Sequence, residues 1–379
     1  MKIGFLVGRP TQFEGPFFQY AARDHDHLIR VIYSDPDCLQ ELFDPELGIQ
    51  ISWGIDLLSG YSYELMPRRR RLRWLLRDIG DQKYDLLIIN GYSRTEYILA
   101  ALVAKLKRTP TALRLDSVAF GKTSATKRIA RLIGFVALKK FFHHFFAIGS
   151  RTIAYLEAHG VKRDRISVFS YAVDADYFRV KSCLTIEAQH AVRQRYGIDA
   201  VSRIILSVTK FNRRESPWDL IKAYCSMSDD DSCLLLIGEG EQRKALEEYA
   251  RGRRNRDIIF AGYVPYQELP SLYGIADVLV HAVRHEPWGV SVNEALACGL
   301  PVVASSTVGA AYDLISNRAN GAIYQAGNPN DLRDKLNQIL SCRREDVRSE
   351  NDRVLSAWNY ETSWRNVLEA GQRAARLRI

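Results

Sequence analysis

His285-Glu286-Pro287-Trp288-Gly289-Val290-Ser291-Val292-Asn293-Glu294-Ala295-Leu296-Ala297-Cys298-Gly299-Leu300-Pro301-Val302-Val303-Ala304-Ser305 reads as one unit of a repeating plan. The apolar run 278–281 before it is a strand. Pro-Trp-Gly turns into a short helix, Gly-Leu-Pro ends that helix, and Val-Val-Ala begins the next strand. Strand, helix, strand in so short a span is the signature of a parallel sheet with its crossover helices on the faces.

The same alternation runs outward in both directions. Strand-like runs occur at 2–7, 28–33, 85–90, 111–115, 145–148 and 166–169, and again at 203–208, 233–237, 258–261, 278–281, 301–304 and 322–324. Most are continuously apolar, as strands buried on both faces must be. With 379 residues the chain exceeds one ordinary core. The expected fold is therefore α/β, with two Rossmann-like doubly wound domains facing across a cleft. The first spans 1–180 and the second 181–360, with a polar lapse near 180–200 and a last helix at about 361–379 that packs back on the first domain.

Composition narrows the function. Six scattered cysteines, with no Cys-x-x-Cys pair and no Cys/His cluster, indicate reduced thiols in a cytoplasmic protein and no structural zinc. The apolar start 3–7 is too short for a signal peptide and reads as a strand. No run approaches the roughly 18 apolar residues of a membrane span. Residues 101–150 hold ten Lys or Arg against one acid, Asp116, a local balance equal to the net +9 of the whole chain. Segments 68–77 and 122–146 mix these cations with apolar and aromatic residues at helical spacing. That pattern suits the headgroup region of an anionic membrane, or else a core helix with a basic solvated face. Because the aromatics follow a helix face, nucleic acid is not an expected partner.

In open α/β sheets ligands sit beyond the carboxyl ends of the strands. Glu286 lies just past strand 278–281, while Gly289, Val290 and Ser291 open a helix whose free amides and dipole favour phosphate. Glu294 lies a turn further along. A nucleotide-diphosphate sugar could bridge these points, with Glu286 at the sugar and Glu294 at the ribose. Asp116 ends strand 111–115. It either serves the acceptor hydroxyl, as orienting group or base, or caps a helix, or pairs with Arg114. His143 and His144 sit among phenylalanines and read as packed residues.

The frame Glu286-Pro-Trp-Gly, Asn293-Glu294-Ala295, Cys298-Gly-Leu-Pro-Val302 resembles glycosyltransferase family 4, retaining transferases with the two-domain GT-B fold. Weaker similarities lie in order along the chain: 1–15, the stretch from Trp53 to Tyr61, Arg114–Ser117, 173–178, Gly238-Glu239-Gly240, 260–264, 309–314 and Asn320-Gly321. The resemblance implies transfer of a sugar from a nucleotide-diphosphate donor, a UDP- or GDP-sugar, to an acceptor hydroxyl, and the basic first domain points to a lipid-linked or cell-surface polysaccharide or glycolipid acceptor. The resemblance also implies retention of anomeric configuration and a metal-independent reaction needing no cofactor. Lys210 and Arg214 are implied to hold the donor diphosphate, although the position matching the family's second lysine is Glu215. Tyr263 and Val264 are implied to meet the base through backbone groups, and Gly238, Gly240 and Gly15 to let the backbone approach the nucleotide. Glu14 has no assigned role. Two other readings stay open: a GT-B-fold nucleotide-sugar epimerase, and a non-catalytic nucleotide-sugar-binding partner in a membrane assembly.

Overall fold

The computed structural model describes residues 1–37, 42–44, 49–51, 54–119, 125–228, 231–253, 257–342 and 344–376. Cys38, Trp53 and residues 122–124 of the second basic segment lie outside them.

The chain divides into two compact units. One comprises Met1–Gln40, Asp56–Val173 and Trp358–Ile379, and the other Glu41–Ile55 and Asp174–Ala357. The division at Val173/Asp174 precedes the polar lapse near 180–200, because Phe178 on helix Ala175–Ser182 is buried against Tyr266 and Tyr273 of the second unit.

The strands are β1 Lys2–Val7, β2 Leu28–Tyr33, β3 Leu42–Asp44, β4 Ile49–Ile51, β5 Tyr63–Leu65, β6 Leu86–Asn90, β7 Thr111–Leu115, β8 His144–Ala147 and β9 Ile166–Val168. They continue as β10 Arg203–Val208, β11 Ser232–Ile237, β12 Asp257–Gly262, β13 Val278–His281, β14 Val302–Ser305 and β15 Gly321–Tyr324. Each of the twelve strand-like runs of the sequence coincides with one of these, to within a residue or two. The exceptions are β5, which extends the first sheet, and the antiparallel hairpin β3–β4. All are three-residue pieces too short to show a period.

The first sheet has the order β5-β2-β1-β6-β7-β8-β9, and every pairing in it is parallel. Its strands alternate sides. Ile3, Phe5 and Val7 pack with Phe17, Phe18 and Phe169 on one face, and Leu6, Leu87, Ile89 and Leu113 with Tyr97 and Phe145 on the other. The first of these faces is finished by helix Tyr360–Arg376, which contributes Trp364, Val367, Ala370 and Ala374. Trp364 Nε1 donates to Asp24 at 2.8 Å, and Asn366 Nδ2 to the Val168 carbonyl at 2.8 Å.

The second sheet has the order β12-β11-β10-β13-β14-β15, again all parallel. Both sheets reverse direction of winding at one point: between β1 and β6 in the first, between β10 and β13 in the second. At such a switch point two loops diverge from adjacent strand ends and leave room for a ligand.

Candidate functional site

In the second unit the loops leaving β10 and β13 are tied together. The Arg284 amide donates to the Arg214 carbonyl at 2.8 Å, and the Arg284 guanidinium reaches Ser216 Oγ at 2.9 Å and Asp219 at 3.0 Å. Glu286 follows directly. Its main chain bridges to Val308 and accepts the Gly309 amide at 3.0 Å, while its carboxylate faces the Trp288 amide at 3.4 Å. Burial pushes the Glu286 carboxyl above the usual range and Glu215 adds to that, opposed by His281, the Trp288 amide and Arg214.

The turn into helix Val290–Ala297 needs Gly289, whose φ of 104° is left-handed and whose missing Cβ would lie 3.1 Å from the His281 ring. The turn closes with the Val292 N–H donating to the Gly289 carbonyl at 3.0 Å, and the amides of Gly289, Val290 and Ser291 precede it. Ser291 Oγ meets His281 Nδ1 at 3.1 Å. His281 is buried, its pKa is lowered mainly by that burial, and its Nε2 has no hydrogen-bond partner among the described residues. Sequence reading passed over His281 and Arg284. The available signal was a polar residue closing an otherwise apolar strand.

Lys210 lies at the end of β10, in the same loop as Arg214. Arg214 is half-exposed and donates to Glu215 at 2.8 Å. Glu215 is buried, accepts from Thr209 Oγ1 at 3.1 Å and is held at its amide by Asn212. The acid at the family's lysine position is thus an internal brace of the loop, and Arg214 projects beside it.

Gly238 and Gly240 have a reason within the fold itself. A Cβ on Gly238 would lie 1.8 Å from the Thr209 carbonyl oxygen, and one on Gly240 2.6 Å from that of Phe211, with φ of 142° and 152°. These glycines let the loop after β11 lie against the loop that carries Lys210. The Phe211 amide to Glu239 carbonyl bond at 2.8 Å and the Gly238 amide to Gly262 carbonyl bond at 2.8 Å fasten it there. Gly238→Ala is expected to destabilise the chain by roughly 1–3 kcal/mol, read from its urea midpoint, because backbone rather than a movable side chain fills the space. A wild-type midpoint would remove this account of the loop. Tyr263 is half-buried and Val264 buried, directly after Gly262.

Glu294 is more enclosed than a ribose contact suggests. It is 4% exposed, and its Oε2 accepts from the Tyr273 hydroxyl at 2.7 Å. Burial raises its pKa from 4.5 to about 7. The folded chain therefore holds a proton that the unfolded chain releases. Stability from this group is full below about pH 4.5 and is lost as pH rises through about 7. Glu294→Gln should flatten that slope and be favoured over the native chain by on the order of 3 kcal/mol above the window. Urea midpoints on either side of it decide the matter, and parallel pH profiles would refute the placement.

Asp116 and Gly15 belong to the first unit. Asp116 is exposed at the end of β7, 3.4 Å from the Tyr171 hydroxyl. Arg114 neither pairs with it nor faces outward. It is 3% exposed, bound to Glu14 at 2.9 Å and to the carbonyls of Phe169 and Ser170 at 3.1 and 3.0 Å. Its guanidinium also stacks 3.8 Å from the Phe169 ring centroid. Glu14, left without a role by the sequence, is its counter-ion and also accepts from Asn90 at 2.8 Å. Burial pushes the Glu14 carboxyl up against the pull of Arg114, Thr11 and Asn90. Gly15 owes its identity to Leu57, whose carbonyl oxygen would be 2.8 Å from a Cβ, and its amide is spent on the Thr11 carbonyl. His144 is packed against Phe146 and its pKa is lowered to about 4, chiefly by burial.

Residues 189–353 match the family described as glycosyl transferases group 1. The chain is 30% identical over 181 residues to an uncharacterised glycosyltransferase, MJ1607, of Methanocaldococcus jannaschii, covering 47% of this chain and 45% of that one. It is 28% identical over 188 residues to the D-inositol 3-phosphate glycosyltransferase of Xylanimonas cellulosilytica, covering 48% and 45%. The chain thus spans less than half the length of these relatives. Anabaena Alr3699/HepE, solved in complex with UDP and glucose, superposes with a TM-score of 0.73 at 15% identity, over 97% of this chain and 98% of that one. Residues 189–353 are thus similar to the glycosyl transferases group 1 family, and the two Rossmann-like units have the GT-B fold.

Proposed function

We propose that the chain is a retaining glycosyltransferase that moves a sugar from a nucleotide-diphosphate donor to a hydroxyl of a lipid-linked or cell-surface polysaccharide or glycolipid acceptor. The observation that carries this reading is the convergence, at the switch point of the second sheet, of Glu286, the first amides of helix Val290–Ala297 and the Lys210–Arg214 loop. An acid beside a cationic, amide-lined turn suits a sugar joined to a diphosphate.

On this reading Lys210 and Arg214 offset the charge that gathers on the diphosphate as the glycosidic bond breaks, the role that a divalent ion plays elsewhere, so no metal is required. Arg214 supplies a planar fork and Lys210 a point charge. The leaving phosphate takes the acceptor proton on the face it departs from, which preserves configuration. Glu286 stabilises the cationic sugar, Glu294 holds the ribose, Tyr263 and Val264 flank the base, and Asp116 orients the acceptor hydroxyl. UDP- and GDP-sugars are the donors of choice, UDP first because Anabaena Alr3699/HepE was solved with UDP and glucose. The protein works at the cytoplasmic side of an anionic membrane, for which its basic first unit is suited. No helix among the described residues is long and apolar enough to cross a membrane.

Thermal shift with UDP, GDP, ADP and their sugars tests the donor half. A ligand present at about 100 times its Kd stabilises the native state by roughly 2.7 kcal/mol, a clear rise in midpoint, and Glu294→Ala should reduce it. Indifference to every nucleotide would overturn the proposal.

A further inference from the structure

Helix Thr95–Leu106 and helix Ala125–Phe141 of the first unit enclose a cavity of about 550 Å³. Its wall is almost wholly apolar, including Tyr97, Leu102, Phe135, Leu138 and Phe141, and Arg131 is the single charged lining residue among those described. That volume lies within the roughly 300–1,000 Å³ of ligand pockets. Apolar side chains mark its mouth: Ile98 is 53% exposed and Leu102 45%, with Leu106 continuing the same stripe at fourth-residue spacing. Such a surface costs solubility unless something covers it.

A second recess, of about 370 Å³, adjoins at Phe141. Lys105, Arg108, Lys140 and His143 line it, and no acid among the described residues does. Lys105 Nζ sits 4.8 Å from the Phe141 ring centroid and donates to the Lys140 carbonyl at 3.1 Å, which holds its charge at the junction of the two spaces. An apolar chamber opening beside a cationic one matches an amphiphile with an aliphatic chain and an anionic head.

We propose that the two recesses form a phospholipid site: an acyl chain of an anionic phospholipid enters the cavity and its phosphate rests on Lys105, Arg108 and Lys140. This deepens the membrane part of the reading above, since adsorption of a basic surface needs no cavity. It does not depend on the donor chemistry, because the test contains neither nucleotide nor acceptor.

The test is flotation of the full chain with vesicles of phosphatidylcholine alone or mixed with an equal amount of phosphatidylglycerol. The native chain should float with the mixed vesicles only. Ala137→Glu puts a carboxylate in the cavity wall, whereas Val136→Glu makes the same charge change at an exposed neighbour outside the lining. Ala137→Glu should lower the bound fraction about tenfold and Val136→Glu no more than about twofold, because only the first displaces buried methylenes. Leu102→Glu, on the opposite wall, should repeat the larger loss should Ala137→Glu alter the native circular dichroism. Lys105→Gln with Lys140→Gln should also weaken flotation. Equal losses at 136 and 137, equal binding to neutral vesicles, or no binding to mixed ones would each overturn the site.

Discussion

Replacing Glu286 with alanine is expected to lower turnover by about 10²–10³-fold and to leave nucleotide affinity within about threefold. The reason is where the carboxylate stands. It follows β13, is fixed through its own main chain to Val308 and Gly309, and precedes the turn that Gly289 makes, where the proposed reading puts the donor sugar. Positive charge on the sugar develops only as the bond to the leaving phosphate stretches, so a group aimed at it contributes little to the ground state. Its raised pKa adds a second signature. Activity should rise with pH as the carboxyl ionises, and this limb should be absent from the residual activity of Glu286→Gln. Single-turnover transfer and nucleotide calorimetry together give the answer. Weakened nucleotide binding with turnover kept would reassign Glu286 to the diphosphate.

The Glu14–Arg114 pair should give the largest effect on stability. Arg114→Met or Glu14→Leu is expected to cost about 3–5 kcal/mol, since either strands a partner in the core of the first unit. Replacing both at once, Glu14→Leu with Arg114→Met, should recover much of that loss because no charge is left unpaired. Urea unfolding of the three variants supplies a double-mutant cycle. Additive losses would mean that the carbonyls of Phe169 and Ser170, and not Glu14, are what Arg114 requires.

That pair also shows where sequence reading stops. Runs such as Arg203–Val208 and Ser232–Ile237 identify themselves, because a strand buried on both faces must be apolar along its whole length. Turn chemistry is legible too: Pro287, Trp288 and Gly289 mark the helix start before any coordinates. Glu14 and Arg114, however, are 100 positions apart and meet only once β1 and β7 take their places in the sheet. Spacing carries no trace of that. Gly238 and Gly240 show another limit. The sequence shows that backbone must come close there, and only the fold shows that the 209–211 loop lies against them. Glu294 is likewise a surface-type residue by composition, and its burial is set by Tyr273, which arrives from a different helix.

The helix Tyr360–Arg376 has a consequence for the order in which the chain assembles. Trp364, Val367, Ala370 and Ala374 complete a core begun by Ile3, Phe5 and Val7. On the ribosome, at about 5–20 residues per second, those partners emerge after the whole of the second unit. The second unit has its full sequence once Ala357 is made, whereas the first still lacks its closing helix. The first unit is therefore the later of the two to finish, and Phe17 stays uncovered on the side of Trp364 until it does.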